Sequence, residues 1–446
     1  MNILIIGAGE VGFHLTKRLS AEKHNIVVLE ENPETSQKAE EQLDAMIVNG
    51  SGSSYKDLVK SHLEKSDILA ALSNNDEVNL MACRFAQKLG IPHKIARVRN
   101  PEYTDAGFIL SREELGVDLL IHPEWETANA ITRLIRQSSA TDVLEFAGGN
   151  IQLLGIRLEK NSPILRKPLK EIWQQVRDID ARVVAISRKE RTIIPGGDDI
   201  LMVGDQVFVV CDKKSMKRIV EVTGKKGVSI QDIMVLGGGL IGQFVAREME
   251  NEVNIKIIES RSDKSERIAD ILTKTLVIHG DGTDMDLLAL EGIMDMDAFI
   301  AVTGDDETNI ISTLMARHLQ VPRTIALVNK TEYLPITPTI GMDAVVSKKL
   351  LTVNAILRFI QKSILENIFS IPGLEAEIIE IIPRANSQIT RKPLKSVHFP
   401  HSAIIGAVHR DNTVIIPVGD TQIEAGDRVV VFSLPQALQK VEKLFN

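Results

Sequence analysis

A short apolar run followed by a glycine loop with GxGxxG spacing occurs twice in this chain. ILIIGAGEVG begins at residue 3 and IMVLGGGLIG begins at residue 233. Such a loop normally follows the first strand of an α/β domain, so its return past the middle of the chain predicts a second domain of the same kind. Other positions are separated by the same distance along the chain: Gly7, Gly9 and Gly12 match Gly237, Gly239 and Gly242; Gly50 and Gly52 match Gly280 and Gly282; Asp76 matches Asp306; Asn79 matches Asn309; and Tyr103 matches Tyr333.

The match continues along the chain with small changes of offset. NAITRLI at Asn129 matches NAILRFI at Asn354 at a slightly shorter separation, and the pentapeptide RKPLK recurs unchanged at that same separation. IIPGGDDILMVGD ends at Asp205 and matches IIPVGDTQIEAGD, which ends at Asp427, at a separation that is slightly shorter again. Small steps in the offset indicate a few loop deletions between two whole copies. We therefore predict a tandem duplication over nearly the entire chain.

Each copy changes character once along its length. Short apolar runs first alternate with segments of helical period, which is the pattern of a doubly wound parallel sheet. One helix follows, and then β-rich segments with Pro-Gly-Gly-Asp turn chemistry, which predict a small α+β module. We therefore predict an α/β fold with two Rossmann-like parallel-sheet domains, each followed by a small α+β domain. Their predicted bounds are 1–123, 140–225, 231–348 and 366–446.

Composition argues against several classes of function. The net charge of -8, without a long run of Lys and Arg, argues against a nucleic-acid partner. Cys83 and Cys211 lie far apart in apolar segments, so we interpret both as buried side chains and predict neither a disulfide nor a CxxC motif. No apolar stretch reaches about 18 residues, and no leader precedes the first strand pattern. We expect a cytosolic protein that could still dock on a membrane protein.

The glycine loops and the strands that follow them carry chemistry. In GAGEVG the glycines allow a tight turn, then close approach to a pyrophosphate, then packing of the helix on the strand. The helix N-terminus offers N–H groups and partial positive charge to phosphates. The second strands end in Glu30 and Glu259, which can accept hydrogen bonds from ribose hydroxyls and would repel the 2′-phosphate of NADP. The alternatives are an ordinary strand-to-helix turn and a solvated acid.

Polar residues also follow the third and fourth strands. VNGSGS in the first copy and IHGDGT in the second place small residues, and Asp281, where an adenosine would lie. Ser73 and Thr303 follow the fourth strands at the carboxyl edge of the sheet, where ligands of such folds gather. The acids behind them, Asp76 and Asp306, are predicted to cap the next helices.

The copies differ at the end of the fifth strand. IARVRNPEY in the first copy contains Arg97, whereas IALVNKTEY in the second contains Leu327. An arginine that faces the pocket could donate charge-assisted hydrogen bonds to a phosphate, and a surface salt bridge is the alternative. If the arginine faces the pocket, the two pockets differ in phosphate affinity or in ligand.

No catalytic or metal-binding arrangement is recognisable in the sequence. A dehydrogenase needs an acid or base and a substrate pocket opposite the nicotinamide, usually from a second sizeable domain. Here each α/β half is followed by a small β-rich module, and no His/Asp or Cys/His arrangement repeats between the copies. We expect a binding protein rather than an enzyme. Gly204-Asp205 and Gly426-Asp427 are interpreted as tight turns, and a cation or small-ligand site between the modules remains an alternative.

The paired glycine loops, SNNDEVN with TGDDETN, and the repeated IIPxGD modules resemble the RCK domains that regulate potassium transport. Two complete copies in one chain resemble the family of RCK regulatory subunits of bacterial Trk potassium uptake systems, over the whole length. The resemblance implies that NAD(H), or alternatively ATP or ADP, binds each α/β domain. Ser51 stands where this family often has the aspartate found at Asp281. The implied site residues are Gly7, Ala8, Gly9, Glu10, Val11, Gly12, Glu30, Ser51, Ser73, Asn74 and Arg97 in the first copy, and Gly237, Gly238, Gly239, Leu240, Ile241, Gly242, Glu259, Asp281, Thr303 and Gly304 in the second.

The same resemblance implies an assembly and a partner. Such proteins place eight nucleotide-binding domains in a ring beneath a membrane channel subunit, so a chain with two of them is expected to form a homotetramer. The ring would switch shape on nucleotide binding and gate a Trk-type potassium channel subunit from the cytoplasmic face of the bacterial inner membrane. The linking helices at Asn129 and Asn354 are candidates for exchange between subunits, or for an internal core. An NAD-dependent oxidoreductase and a ligand sensor for another ion transporter are the alternative functions.

Overall fold

The computed structural model describes residues 1–105, 107–137, 140–176, 179–189, 191–225, 230–337, 340–362, 366–371 and 374–445. These residues belong to two compact units. The first unit contains residues 1–127 together with the helix at 348–362. The second contains the described residues of 128–347 and those that follow the helix. Each unit therefore takes segments from both copies.

The first copy folds into an α/β domain, a linking helix and a small β-rich domain. The α/β domain contains strands β1 (Asn2–Ile6), β2 (Asn25–Glu30), β3 (Met46–Asn49), β4 (Ile68–Ala71), β5 (His93–Arg97) and β6 (Leu119–Ile121), with helices α1 (Glu10–Ala21), α2 (Pro33–Gln42), α3 (Tyr55–Lys60), α4 (Asp76–Lys88) and α5 (Arg112–Leu115). The linking helix is α6 (Pro123–Arg136). The small domain contains β7 (Asp142–Phe146), β8 (Ile151–Arg157), β9 (Ala181–Arg188), β10 (Arg191–Ile193) and β11 (Gln206–Asp212), with α7 (Leu169–Gln175) and α8 (Met216–Val222).

The second copy repeats this order. Its α/β domain contains β12 (Asp232–Leu236), β13 (Asn254–Glu259), β14 (Leu276–His279), β15 (Ala298–Ala301), β16 (Arg323–Leu327) and β17 (Ala344–Val346), with α9 (Leu240–Met249), α10 (Ser262–Ile271), α11 (Met285–Leu290) and α12 (Asp306–His318). The linking helix is α13 (Lys348–Lys362). The small domain contains β18 (Glu366–Ser370), β19 (Glu377–Ile381), β20 (Ala403–Arg410), β21 (Thr413–Ile415) and β22 (Arg428–Ser433), with α14 (Leu438–Phe445).

Both α/β sheets are parallel and share one strand order. The first runs β3-β2-β1-β4-β5-β6 and the second runs β14-β13-β12-β15-β16-β17. In each, the order reverses beside the strand that precedes the glycine loop, and ligands of such sheets bind at this switch point. The predicted fold, two Rossmann-like domains in a tandem duplication, is confirmed.

Strand β1 shows why these residues form a central strand. Ile3 and Ile5 belong to the buried cluster on one face of the sheet, and Leu4 and Ile6 belong to the cluster on the other. A parallel strand covered on both faces is a continuous apolar run rather than an alternating one. The run of four aliphatic residues before the glycine loop is thereby explained.

The two linking helices pack on α/β domains of the opposite copy. In the first unit, α13 packs on α1 and β6, and Ile356 and Ile360 share a buried cluster with Leu15 and Leu19. In the second unit, the end of α6 lies beside α9, where the Arg136 guanidinium binds acidic side chains. The sequence left open whether these helices exchange between subunits or fill an internal core, and within this chain each lies against the α/β domain of the opposite copy.

The small domains are antiparallel sheets that pack on each other within the second unit. Their strand orders are β10-β9-β11-β8-β7 and β18-β19-β22-β20-β21. Phe146 and Phe208 of the first share a buried cluster with Ile378 and Phe432 of the second. Because the apolar faces cover each other, neither sheet needs a layer of helices on that side.

Tight turns occur where Gly-Asp pairs predicted them. Gly204 and Gly426 have φ values of +85° and +91°, a region that favours glycine. The Asp205 carboxylate accepts two hydrogen bonds from the Arg188 guanidinium, at 2.8 and 2.7 Å, and Arg410 with Asp427 repeats the pair. Each of these carboxylates is therefore already paired with an arginine.

Within the described ranges no group of three or more His, Cys, Asp or Glu side chains is suited to a metal ion, and no helix is long and apolar enough to cross a membrane.

Candidate nucleotide sites

A cavity of about 360 Å³ opens at the switch point of the second α/β sheet. It lies between the glycine loop and the ends of β13, β14 and β15. The predicted residues that line it are Gly237, Gly239, Glu259, Asp281, Thr303 and Gly304. Lys264, Thr283 and Thr308 also line it and were not predicted. The predicted residues Gly238, Leu240, Ile241 and Gly242 belong to the loop and the first turn of α9 but are outside the lining.

The three loop glycines have three different surroundings. A Cβ on Gly237, whose φ is +107°, would lie 3.0 Å from the backbone of Thr303, so the turn closes against the end of β15. A Cβ on Gly242 would lie 2.2 Å from the Gly237 carbonyl oxygen, so only glycine lets the helix approach the loop this closely. A Cβ on Gly239 would meet nothing within 4 Å, which leaves space for a ligand. The first copy repeats these positions at Gly7, Gly12 and Gly9.

The helices behind the glycine loops begin without a side-chain cap. Gly9 is the N-cap of α1 and Gly239 the N-cap of α9, and neither provides a side-chain acceptor for the first N–H groups. By contrast, Asn75 caps α4 and Asp305 caps α12 through hydrogen bonds to backbone N–H groups. An uncapped helix start beside open space fits an anionic group, because the N–H groups and the helix dipole both favour one. The diphosphate of a dinucleotide or of ADP fits this place in both copies.

The acids that end the second strands face their glycine loops. Glu30 accepts hydrogen bonds from the N–H groups of Ala8, at 2.5 Å, and Asn32, at 2.8 Å. Glu259 accepts from the equivalent Gly238 and Arg261 N–H groups, both at 3.1 Å. Carboxylate oxygens held beside the glycine loop can also accept hydrogen bonds from ribose hydroxyls.

The second pocket adds a cation to this acid. Lys264 Nζ lies 2.6 Å from Glu259 Oε2. Burial acts to raise the pKa of Glu259, but Lys264 and the hydrogen bonds from Arg261 and Gly238 outweigh it, so the pKa lies below its ordinary value. Glu259 is therefore ionised at neutral pH and already partnered. Sequence patterns alone did not point to Lys264, because it aligns with an uncharged residue of the first copy.

A buried asparagine holds the loop after each fourth strand. Asn79 Oδ1 accepts hydrogen bonds from the hydroxyl and the N–H of Ser73, at 2.8 and 3.0 Å, and its amide donates to the Arg97 carbonyl at 2.8 Å. Asn309 repeats the pattern with Thr303. The hydroxyls of Ser73 and Thr303 thus lie at the pocket edge in fixed positions. The signal for this role was the match of the two asparagines between the copies.

Arg97 ends β5 at the carboxyl edge of the first α/β sheet, and its hydrogen-bond partners are neutral. Its guanidinium donates to Asn74 Oδ1 at 2.8 Å and to the Leu72 carbonyl at 3.5 Å, and burial lowers its pKa below the ordinary value. An arginine remains charged despite such a shift. Both acceptors are uncharged, so neither contact is the surface salt bridge that the sequence left as the alternative. Leu327, the second-copy counterpart, is buried in the sheet.

The other predicted residues differ in exposure. Ala8 and Val11 are buried, whereas Glu10 is exposed in the first turn of α1. The Ser51 hydroxyl lies 3.1 Å from that of its neighbour Ser53. Asp281 accepts hydrogen bonds from the N–H and hydroxyl of Thr283, so its carboxylate is oriented at the cavity wall.

The predicted capping role of Asp76 and Asp306 is wrong. The caps are the preceding residues, as noted for Asn75 and Asp305. Asp76 Oδ2 instead accepts the N–H groups of Arg99 and Asn100 at 2.9 and 2.8 Å, and Asp306 does the same for the loop after β16. A carboxylate one residue past the cap points away from the helix axis and satisfies a neighbouring loop. These acids therefore fix the loop after the fifth strand.

Protein-family comparisons match both copies. The TrkA-N domain family matches residues 3–123 and 233–348, and the TrkA-C domain family matches residues 153–224 and 378–446. The chain is 36% identical to "Trk system potassium uptake protein TrkA homolog 2" of Methanosarcina mazei, with 100% of both chains covered. It is 32% identical to "Trk system potassium uptake protein TrkA" of Azorhizobium caulinodans, with 100% of this chain and 99% of the relative covered.

Solved structures with the same fold are also RCK proteins. The GsuK RCK domain matches with a TM-score of 0.62 at 20% identity, covering 100% of this chain and 94% of that one. The GsuK channel bound to NAD matches with a TM-score of 0.62 at 20% identity, covering 100% of this chain and 78% of that one. At this level of identity the likeness establishes the fold alone.

Proposed function

Because this chain belongs to the TrkA family of Trk-system potassium uptake proteins, we propose that it is a nucleotide-sensing subunit that gates a membrane potassium channel. NAD(H) is the proposed ligand of the two α/β domains, and ATP or ADP is an alternative or additional effector. In support, GsuK proteins of similar fold are described as bound to NAD in one structure and to ADP in another. Both effectors share the adenosine diphosphate part.

The observation that carries this proposal is the pair of uncapped helix starts beside open space at Gly9 and Gly239. A diphosphate held there receives backbone N–H groups without displacing a side chain. Glu30 and Glu259 would then accept hydrogen bonds from ribose hydroxyls, and Ser73 or Thr303 would face the ligand from the fourth strand. The dinucleotide supplies the redox-sensitive group, while the chain supplies only binding and orientation.

The linking helices could transmit nucleotide binding to the rest of the chain, because they contact the helices that begin at the two phosphate sites. Helix α1 begins at the first phosphate site, and α13 of the opposite copy packs on it. Helix α9 begins at the second phosphate site, and Arg136 at the end of α6 binds its Glu248 at 3.2 Å. Each nucleotide would therefore bind one end of a helix that contacts a linking helix, through packing at α1 and through an ion pair at α9. A shift of α1 or α9 on binding would be passed to the linking helix that it contacts.

A switch of this kind needs a ligand that binds two shapes unequally. Moving the population from about 1:99 to about 99:1 takes roughly 5.5 kcal/mol of differential binding. NADH and NAD, or ATP and ADP, can supply such a difference only if their differing parts contact groups that move. We propose binding without turnover, because neither pocket shows, among the residues that the structure describes, an acid or base placed opposite a substrate.

The proposed assembly is a homotetramer on the cytoplasmic face of the membrane, with its eight α/β domains in a ring under the channel subunit. Light scattering of the purified chain should give the mass of four chains. A stable monomer at all concentrations would contradict the ring.

The function is tested by blocking the pockets without disturbing the fold. Asp is a favoured N-cap, and a Cβ at Gly9 or Gly239 meets no atom within 4 Å, so Gly9→Asp and Gly239→Asp should fold normally while placing a negative charge at the phosphate site. We expect the double variant, produced in cells that lack the native chain, to leave potassium uptake unresponsive to the cellular nucleotide level. Normal regulated uptake by that variant would contradict the proposal. Gly9→Asn with Gly239→Asn, which adds a side chain without the charge, is the matched control for repulsion.

The oxidoreductase alternative makes a distinct prediction. It requires that the purified chain consume NADH in a substrate-dependent manner. We expect NADH absorbance to fall no faster with the purified chain and metabolites from a cell extract than it does in a blank without the chain. Steady consumption that Gly9→Asp or Gly239→Asp abolishes would favour the enzyme.

A further inference from the structure

The two pockets differ beside the acid that would bind the adenosine ribose. Helices α2 and α10 are separated by the same distance along the chain as strands β2 and β13, so Lys264 aligns with Thr35. Lys264 lines the second cavity and lies 2.6 Å from Glu259, whereas the Thr35 N–H donates to the cap residue Asn32. The acid accepts backbone N–H groups in both copies, and in the second copy it is also paired with a cation.

The surrounding charges reinforce this difference. In the first copy, residues 30–35 contain three acids and no base, and Glu31 and Glu34 are exposed. The aligned residues 259–264 contain two acids and two bases. Arg261 binds Asp263 at 2.9 Å, so Lys264 is the base that neutralises the cavity acid. The segment that begins at the strand-two acid is therefore negative in the first copy and close to neutral in the second, while Asp281 and Asp305 line another part of the second cavity.

Phosphate discrimination follows from this charge. A phosphate on the adenosine ribose carries more than one negative charge and would lie within a few ångströms of the strand-two acid. In the first pocket that carboxylate and its acidic neighbours repel it. In the second, the half-buried Lys264 ammonium has three donors, so it can hold Glu259 and a phosphate oxygen together. Burial on one side reduces screening of this charge by solvent.

We propose that the second pocket accepts a phosphate on the adenosine ribose, and so binds NADPH as well as NADH, whereas the first pocket rejects NADPH. Lys264 is the residue that sets this specificity. The inference rests on the proposed function, since it assigns a ligand class to one of its two pockets. One chain would then respond to both the phosphorylated and the unphosphorylated dinucleotide.

The test measures NADH and NADPH binding to each pocket by calorimetry on the full chain. Gly9→Asp leaves the second pocket available, and Gly239→Asp leaves the first. In the Gly9→Asp chain we expect the dissociation constants of NADH and NADPH to agree within about fivefold. Adding Lys264→Thr, the first-copy residue, should weaken NADPH at least about tenfold and leave NADH within about threefold. Lys264→Arg keeps the charge and should retain NADPH binding.

The reciprocal change tests whether the lysine is sufficient. In the Gly239→Asp chain, Thr35→Lys should strengthen NADPH binding about tenfold, because the side chain would place an ammonium beside Glu30. If the second pocket binds NADH but rejects NADPH, or if Lys264→Thr weakens both ligands equally, the specificity role is overturned while the pocket remains. If the Gly9→Asp chain binds neither NADH nor ADP, the proposed function of the second pocket fails as well.

Discussion

Asn79 Oδ1 lies 2.8 Å from the Ser73 hydroxyl oxygen, and Asn309 with Thr303 repeats the relationship at 2.7 Å. In each copy the amide of the same asparagine donates to the carbonyl that ends the fifth strand. A single buried side chain therefore joins the loop after the fourth strand to the neighbouring strand at the pocket edge. This tie fixes the Ser73 and Thr303 hydroxyls at the carboxyl edge of their sheets.

Replacing Asn309 should damage both stability and binding. Asn309 is fully buried, and Asn309→Ala removes the side chain that the Thr303 N–H and hydroxyl donate to and that donates to the Leu327 carbonyl. We expect the free energy of unfolding to fall by about 2 to 4 kcal/mol in urea titration. NADH binding to the second pocket should weaken because the Thr303 loop is no longer fixed.

Thr303→Val is the matched control for that change. It removes only the hydroxyl and keeps the shape, so a loss of about 1 kcal/mol is expected. Equal stability of Asn309→Ala and the wild-type chain would show that the tie does not hold the loop.

Much of this architecture could be predicted from the sequence because it depends on local chemistry. The glycine spacing, the apolar strand before it and the strand-two acid each follow from one short segment. The contact of Lys264 with Glu259 could not be predicted, because a long side chain in the first turn of a helix can adopt several conformations. Asp76 was misinterpreted for a related reason: an acid at a helix start caps it only if it occupies the cap position itself. The surface on which each linking helix packs could not be predicted either, because an apolar helix face fits any apolar surface.

The start of the first linking helix should make stability depend on acid pH. Burial acts to raise the pKa of Glu124, but His122, Lys348 and Arg99 outweigh it and hold the pKa at about 2, against an ordinary value of 4.5. A carboxylate whose pKa is lowered by folding contributes its full stabilisation at pH values above its unfolded-state pKa. That contribution is lost as the pH falls through the folded-state pKa. The wild-type chain should lose about 3 kcal/mol of unfolding free energy from this group between roughly pH 5 and pH 2.

Glu124→Gln should remove that contribution. We expect it to cost a similar amount at pH 7 and to reduce the fall in stability below pH 5, as followed by urea titration at several pH values. Glu126→Gln changes the same charge on the same turn and should cost under about 0.5 kcal/mol. Identical pH profiles for the wild type and Glu124→Gln would contradict the assignment.

The second unit contains a carboxyl group with the opposite behaviour. Burial raises the pKa of Asp142 to about 6, despite hydrogen bonds from Thr141 and Gln206 and the charge of Arg323. A carboxyl with a raised folded-state pKa stabilises the fold while protonated, and this contribution declines as pH rises from about 4 to 6. Asp142→Asn should therefore raise the free energy of unfolding by about 2 to 3 kcal/mol at pH 8 and leave it nearly unchanged at pH 4.

The second copy supports the choice of asparagine, because Asn367 occupies the position that matches Asp142, at the same separation as Asn354 from Asn129. Gln206→Glu, which changes a partner rather than the buried acid, should destabilise at pH 8 by adding a second negative charge. A loss of stability on Asp142→Asn that is the same at pH 4 and pH 8 would show that the ionised form is the native one.

Both cysteines should resist thiol reagents in the folded chain. Burial raises the pKa of the Cys83 and Cys211 thiols to about 12, and both side chains are fully buried. The thiolate is the reactive form, so the native chain should react over hours and the urea-unfolded chain should titrate both thiols at once. Rapid reaction under native conditions would indicate local opening around helix α4 for Cys83, or around strand β11 for Cys211.

The central claim, that each chain has two nucleotide pockets formed by its two glycine loops, is tested most directly by the number of NADH molecules bound per chain in calorimetric titration. We predict two for the wild type, one for Gly9→Asp, one for Gly239→Asp and none for the double variant, with no loss of thermal stability in any of them. A double variant that folds and still binds NADH as the wild type does would contradict the claim.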